Sequence, residues 1–247
     1  MTESPFVRDL LARYTIWQPI EDVGLLPGEI LLSFDDGPNE VADTTSRLLD
    51  ALKTENVPAA FCVCGKCVRE APHLVRRMQA EGHLLVNHGN QHLPLTLFSE
   101  AALQQEIQGC DAALAGAIQD PGFCASAFRP ACGWWTPAVK TIVDRLNRRV
   151  LPITDFGNDT SITRHNYATW VDRTRRAAQR DRGGIFVLHD RRLRFWGESH
   201  YDVTNPDTSA YRGWVPEAIS TLIRQCRSDG FIFLDPATWI ERLATAR

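Results

Sequence analysis

The chain has 247 residues, 44% of them hydrophobic, which suits a single domain with a sizeable core. Its 27 Lys and Arg against 30 Asp and Glu leave a net charge of −3, which excludes a basic nucleic-acid footprint and a polybasic membrane anchor. No apolar run reaches membrane-spanning length, and the start Met1-Thr2-Glu3-Ser4 has no signal-peptide core. The expected location is therefore cytoplasmic as written, or periplasmic or extracellular if a signal has been removed.

In chain order, apolar runs predict strands over 29–34, 58–63, 83–87, 125–129, 149–153, 184–188 and 231–234. Helical patterns fill the gaps at 41–54, 69–81, 100–118, 136–147, 167–181, 214–229 and 236–245. Strict alternation predicts an α/β fold with a parallel sheet, closed as a barrel or left open; either puts its site at the carboxyl ends of the strands. Residues 1–28 read as an N-terminal extension packed on the domain formed by 29–247. The stretch 191–213 is long for a connector, so it reads as a lid or binding loop.

Cys62, Cys64, Cys67, Cys110, Cys124, Cys132 and Cys226 make an odd count, which argues against a disulfide framework. Cys62-x-Cys64-x-x-Cys67 invites a metal, but no second ligand cluster follows at zinc-finger spacing. Packing as small hydrophobes is the expectation. His73, His83, His165 and His200 read as surface or loop histidines. Trp17, Trp170 and Trp239 read as packing residues.

The strand ends collect the chemistry. Ser33-Phe34-Asp35-Asp36-Gly37-Pro38 places two adjacent carboxylates where the first strand stops. Such a pair is a solvated turn, a metal ligand, a proton-transfer group, or one of each of the last two. The third strand delivers His88 and His92, four apart. One aspartate with two histidines is a three-ligand set with room for water, as catalytic zinc needs. Later strand ends supply Arg129-Pro130-Ala131-Cys132-Gly133, then Asp155 and Asp159, then His189-Asp190.

These motifs resemble the NodB-type polysaccharide deacetylases, carbohydrate esterase family 4. The family's Thr-Phe-Asp-Asp-Gly-Pro is met by Ser33 to Pro38, its His-x-x-x-His by His88 and His92, its Arg-Pro-Pro-Tyr-Gly in part by Arg129 to Gly133, and its Leu-x-His by Val187 to His189. The resemblance implies a distorted seven-stranded (β/α) barrel and metal-dependent removal of acetyl groups from an N-acetylated carbohydrate. It implies Asp36, His88 and His92 as ligands of Zn²⁺ or another divalent ion, and Asp35 as general base. It implies the Cys132 backbone N–H as oxyanion donor, His189 as general acid, and Arg129 as the brace on Asp35. A fifth-strand acid, Asp159 in preference to Asp155, orients His189. The family's Tyr is Cys132 here, and Thr160 follows Asp159 where the family usually has Trp. Val187 in place of Leu widens the acetyl-methyl pocket.

Trp134 and Trp135 are candidates to stack on a sugar, as are Trp196 and Tyr201 in the long loop. Arg191, Arg192 and Arg194 are candidates to meet an anionic group. The partner expected is a carbohydrate, with no nucleic acid and no membrane span. Two alternatives stand beside this reading: hydrolysis of another small N-acyl or formamide substrate, and a non-catalytic carbohydrate-binding relative. The completeness of the acid, base and ligand set argues against a pure binder.

Overall fold

The computed structural model describes residues 15–18, 20–93, 99–155, 157–194, 198 and 201–245. Seven strands follow one another: β1 (Glu29–Asp35), β2 (Ala60–Val63), β3 (Leu84–Asn87), β4 (Ala127–Phe128), β5 (Arg149–Val150), β6 (Gly184–His189) and β7 (Ile232–Phe233). Among the described residues eight α-helices alternate with them: α1 (Thr44–Thr54), α2 (Gly65–Glu70), α3 (Pro72–Ala80), α4 (Glu100–Ile118), α5 (Pro137–Arg145), α6 (Tyr167–Asp181), α7 (Val215–Ser228) and α8 (Pro236–Thr245).

All pairings between these strands are parallel, in the order β5-β4-β3-β2-β1-β6, with β7 on β1. Beyond β5 the chain meets β6 through the Asp155–Phe186 bridge and a Thr154 N–H bond of 3.1 Å to the Ile185 carbonyl. The sheet therefore curls into the distorted (β/α) barrel that the family resemblance implies, where the alternation alone leaves barrel and open sheet both possible.

The period of two along each strand divides the core. Ile30, Leu32 and Phe34 of β1 join Phe61, Val63, Leu85, Phe186 and Leu188 in the layer under the helices. Leu31 joins Ala60, Cys62, Val86, Ala127, Leu151 and Ile185 inside the barrel. Ala60, Cys62 and Ala127 alternate there with Leu31, Leu151 and Ile185, because a narrow, strongly curled sheet has room for large side chains from only some of its strands. This is why Cys62 is buried, and burial pushes its thiol well above the usual range. Cys64, Cys67, Cys110 and Cys226 are likewise buried free thiols.

The helices bury the faces their spacing predicts. Leu103, Ile107, Cys110 and Leu114 of α4 are at most 1% exposed, and Ser99 caps that helix by accepting from the Ala102 N–H. Ile219, Leu222, Ile223 and Cys226 do the same on α7, which ends before Gly230 at φ 89°. Each such aliphatic burial contributes about 1.5–3 kcal/mol.

Two expectations need correction. The single helix expected over 69–81 is two helices, broken at Ala71, because Pro72 disfavours helical geometry in the residue before it and starts α3. His83 is not a surface residue: it is 8% exposed, and its Nδ1 accepts the Ala59 N–H at 3.1 Å. Trp170 and Trp239 are core residues, in keeping with the packing role expected of them, and Trp17 donates from Nε1 to the Thr154 carbonyl.

Of the N-terminal extension, Thr15 and Trp17 form short bridges to Trp134 and Ile153. Ile16 lies between them, against Ile153 and Val187.

Candidate active site

Period two also aims the site. Leu31, Ser33 and Asp35 share the inward face of β1, so Asp35 points over the barrel mouth. Asp36 belongs by alternation to the outer face. Its φ of 73° breaks the alternation and brings its carboxylate into the same cleft. Aspartate tolerates this left-handed conformation better than most side chains. Gly37 follows because the buried Asp190 carboxylate lies against it: a Cβ there would sit 2.5 Å from Asp190 Oδ1. Burial pushes Asp190 up to about 6, and Thr45 donates its hydroxyl to Oδ2.

Arg129, Val187 and His189 reach the same mouth by the same arithmetic on β4 and β6. Arg129 is fully buried. Its Nη1 donates to Asp35 Oδ1 at 2.6 Å and to Ser33 Oγ at 2.8 Å; Nε and Nη2 donate to the carbonyls of Leu151 and Pro152. Burial favours the neutral form of Asp35, but Arg129, with His88 and His189, outweighs it and holds the carboxyl below its usual value.

The histidine pair rides on a loop, not a helix turn. Asn87, the last residue of β3, accepts the Gly89 N–H at 2.9 Å and donates to Asp111 and to the Ile107 carbonyl. Glu106 on α4 accepts the N–H groups of Asn90 and Gln91. This frame, with φ 83° at Gly89 and 56° at His92, turns both rings toward Asp36. His92 Nε2 lies 3.0 Å and His88 Nε2 3.4 Å from Asp36 Oδ1.

The three ligand atoms lie within 4.8 Å of one another. Donors about 2.0–2.1 Å from a tetrahedral ion are roughly 3.3 Å apart, so the spacing fits a shared cation. The donor chemistry fits as well. The His88 Nδ1 contact with the Arg129 carbonyl, 2.8 Å, places the proton on Nδ1 and leaves the Nε2 lone pair free to ligate. Asp36 Oδ1 is buried and receives no well-aligned hydrogen bond despite the two close ring nitrogens. Burial opposes ionisation of Asp36, but His92 and His88 outweigh it and hold the carboxyl well below its usual range. The carboxylate is thus an anion ready for a cation.

On the far side of the cleft, Asp159 Oδ1 is 2.8 Å from His189 Nδ1, and Oδ2 accepts the His189 backbone N–H at 2.9 Å. Burial disfavours the imidazolium, but Asp159 more than compensates and lifts His189 to about 9. Asp155 does not share this role: it accepts the Gly157 N–H and lies 3.6 Å from Arg180.

Asp35, Asp36, His88, His92, Cys132, Asp159, Val187 and His189 all line one cleft of about 390 Å³. Cys132 adopts φ 62° there, and burial pushes its thiol up to about 11. Ile16, Ile153 and Val187 form an apolar wall.

Of the sugar-stacking candidates, Trp134, Trp135 and Tyr201 do not line this cleft. Trp134 is 49% exposed, and Trp135 packs beside Val150 in a neighbouring groove. Tyr201 donates its hydroxyl to the Arg192 carbonyl, and Trp196 lies outside the described residues. Arg192 does line the cleft and pairs with Glu198 at 2.7 Å, whereas Arg191 bonds Glu70 and Arg194 the Glu198 carbonyl.

Sequence reading missed Glu106, Ile16 and Arg212. Glu106 was readable only as a polar helix position, and Ile16 only as part of an extension. Arg212 sits in a stretch without periodicity, yet it is fully buried against Asp159.

Fold and site together define a (β/α) barrel with three side chains that could hold a metal ion, set between two charge-paired groups. The chain belongs to the polysaccharide deacetylase family, whose model, described as "Polysaccharide deacetylase", matches residues 25–151. It is 30% identical over 213 residues to a chitooligosaccharide deacetylase from Rhizobium leguminosarum bv. trifolii, covering 86% of this chain and 92% of that one. It is 32% identical over 161 residues to a peptidoglycan-N-acetylglucosamine deacetylase from Listeria monocytogenes, covering 65% of this chain and 32% of that one. The fold matches the chitin deacetylase from the fungal pathogen Colletotrichum lindemuthianum with a TM-score of 0.73 at 21% identity, over 90% of this chain and 91% of the other. Among the described residues no helix is long and apolar enough to cross a membrane.

Proposed function

We propose that the protein is a metal-dependent hydrolase that removes N-acetyl groups from a carbohydrate of the N-acetylglucosamine type. The observation that carries this reading is a base pair and an acid pair facing each other across one three-donor site. Asp35 braced by Arg129 stands on one side, and His189 braced by Asp159 on the other. The relatives named for deacetylation of chitooligosaccharide and peptidoglycan support the same substrate class.

Asp36, His88 and His92 would hold the ion, most simply Zn²⁺, given one carboxylate and two imidazoles. When bound, such an ion lowers the pKa of water toward 7 and polarises an acyl oxygen. Asp35 accepts the proton of the attacking water; Arg129 keeps its carboxylate ionised and aimed. As the tetrahedral carbon forms, the Cys132 backbone N–H donates to the developing oxyanion. His189, with Nδ1 held by Asp159, presents Nε2 to the departing nitrogen and protonates it as the C–N bond breaks. The products are acetate and the free amine.

A pure carbohydrate binder would need neither pair. The test is acetate release from a panel of N-acetylated oligosaccharides by zinc-loaded protein. Hydrolysis of a formamide to formate, or of another small N-acyl compound to its own acid, with no acetate from any glycan, overturns the substrate class and keeps the chemistry.

A further inference from the structure

Arg212 lies 23 residues after His189 in sequence, in the stretch expected to be a lid, just before α7. Its side chain goes down instead, under the rim, and is fully buried. Three of its donors are spent on two residues. Nε donates to the His189 carbonyl at 2.7 Å, Nη1 to the Asp159 carbonyl at 3.1 Å, and Nη2 to Asp159 Oδ2. The guanidinium lies 4.5 Å from the ring centroid of Trp214, which stacks on Tyr167.

Burying a cation is costly unless its partners are well placed. Here the partners are the acid and its orienting carboxylate, held at both backbones and one side-chain oxygen. Asp159 Oδ2 also takes the His189 N–H, which leaves Oδ1 for the His189 ring. With Oδ2 occupied twice and both backbones tied, the carboxylate plane cannot rotate, so the direction of Oδ1 sets the direction of the imidazole. A planar five-donor fork does this; a lysine ammonium, a point charge, does not.

We propose that Arg212 is a positioning residue for proton delivery to the leaving group: it fixes Asp159, and through Asp159 aims His189. The chemistry served is the second half of the acyl transfer, C–N or C–O cleavage, rather than attack by water, which Asp35 and Arg129 serve. The proposal rests on the hydrolase reading and is independent of which sugar is bound.

The test uses zinc-loaded protein and a series of acetate esters, from 4-nitrophenyl acetate to simple alkyl acetates, beside an N-acetylglucosamine oligomer. A departing nitrophenolate needs no proton; an alkoxide or amine does. Arg212→Lys should lower kcat by about 100-fold on the alkyl esters and leave 4-nitrophenyl acetate within about threefold, with KM and zinc content unchanged. Asp159→Asn should give the same pattern, and the double variant should lose little more than either single one, because the two act as a unit. Arg212→Gln, which keeps a planar donor, is the second variant and should fall between wild type and Arg212→Lys. Equal loss on all esters, or no loss on the alkyl esters, overturns the proposal. So does loss of a native melt in both variants, which would make Arg212 a fold determinant. Acetate release from the oligomer by wild type is scored separately: its absence, with the ester pattern intact, rejects the carbohydrate reading and supports the positioning role.

Discussion

Asp35 and Asp36 are consecutive, yet their carboxylates serve opposite neighbours in one cleft: Asp35 Oδ1 is 2.6 Å from Arg129 Nη1, and Asp36 Oδ1 is 3.0 Å from His92 Nε2. The left-handed φ at Asp36 separates their environments. Asp35→Asn should therefore retain zinc and lose turnover by about 100-fold or more, because a base is removed and the ligand set stands. Asp36→Ala should lose zinc. Elemental analysis and kcat on both variants check this, and zinc loss confined to Asp35→Asn would reverse the roles.

Metal should also be a stability element. A ligand that binds only the folded state stabilises it by about 2.7 kcal/mol at 100 times its Kd. Chelation is expected to lower the melting temperature of wild type, and zinc to restore it. His92→Ala should show neither change, since one of three donors is gone. A zinc-dependent melt in His92→Ala would place the ion elsewhere.

Arg129 and Asp35 form a buried pair, so removing one leaves the other as an uncompensated charge. Arg129→Met should cost about 3–5 kcal/mol in urea unfolding. The companion Asp35→Asn should cost less, because Arg129 keeps Ser33 and two carbonyl acceptors. Equal and small costs would mean that the pair is solvated.

His83 gives a pH dependence with a defined sign. Burial lowers it to about 4, while Glu81 and Asp235 pull it up and Arg77 pulls it down. Its Nδ1 must stay unprotonated to accept the Ala59 N–H. A histidine depressed in the folded state contributes stability that is complete above its unfolded value near 6.5 and lost as pH falls toward 4. Relative to His83→Asn, which keeps an acceptor and cannot titrate, wild type should lose about 2 kcal/mol between pH 7 and pH 5. Parallel stability curves for the two proteins would show that His83 protonates freely in the folded state.

The apolar runs and helical spacings were enough to determine seven strands, their alternation with helices, and the strand ends as the place of the chemistry. Those patterns are local, because burial on one face or both repeats at the period of the element. The motifs at Asp35, His88, Arg129 and His189 were legible for a related reason: each ends a strand or follows one directly, so its place in the chain is also its place in the barrel. What the sequence left open was everything set by contact between distant segments. Asp155 and Asp159 are both candidates in the sequence, with Asp159 preferred on resemblance alone, and the 2.8 Å bond to His189 is what separates them physically. His83 looks like a surface residue until Ala59, the residue before β2, supplies its N–H. Arg212 has no periodicity around it, and its partners lie 23 and 53 residues away. A buried charge is specified by the groups that meet it, and these come together only when the sheet curls and the chain folds back beneath His189.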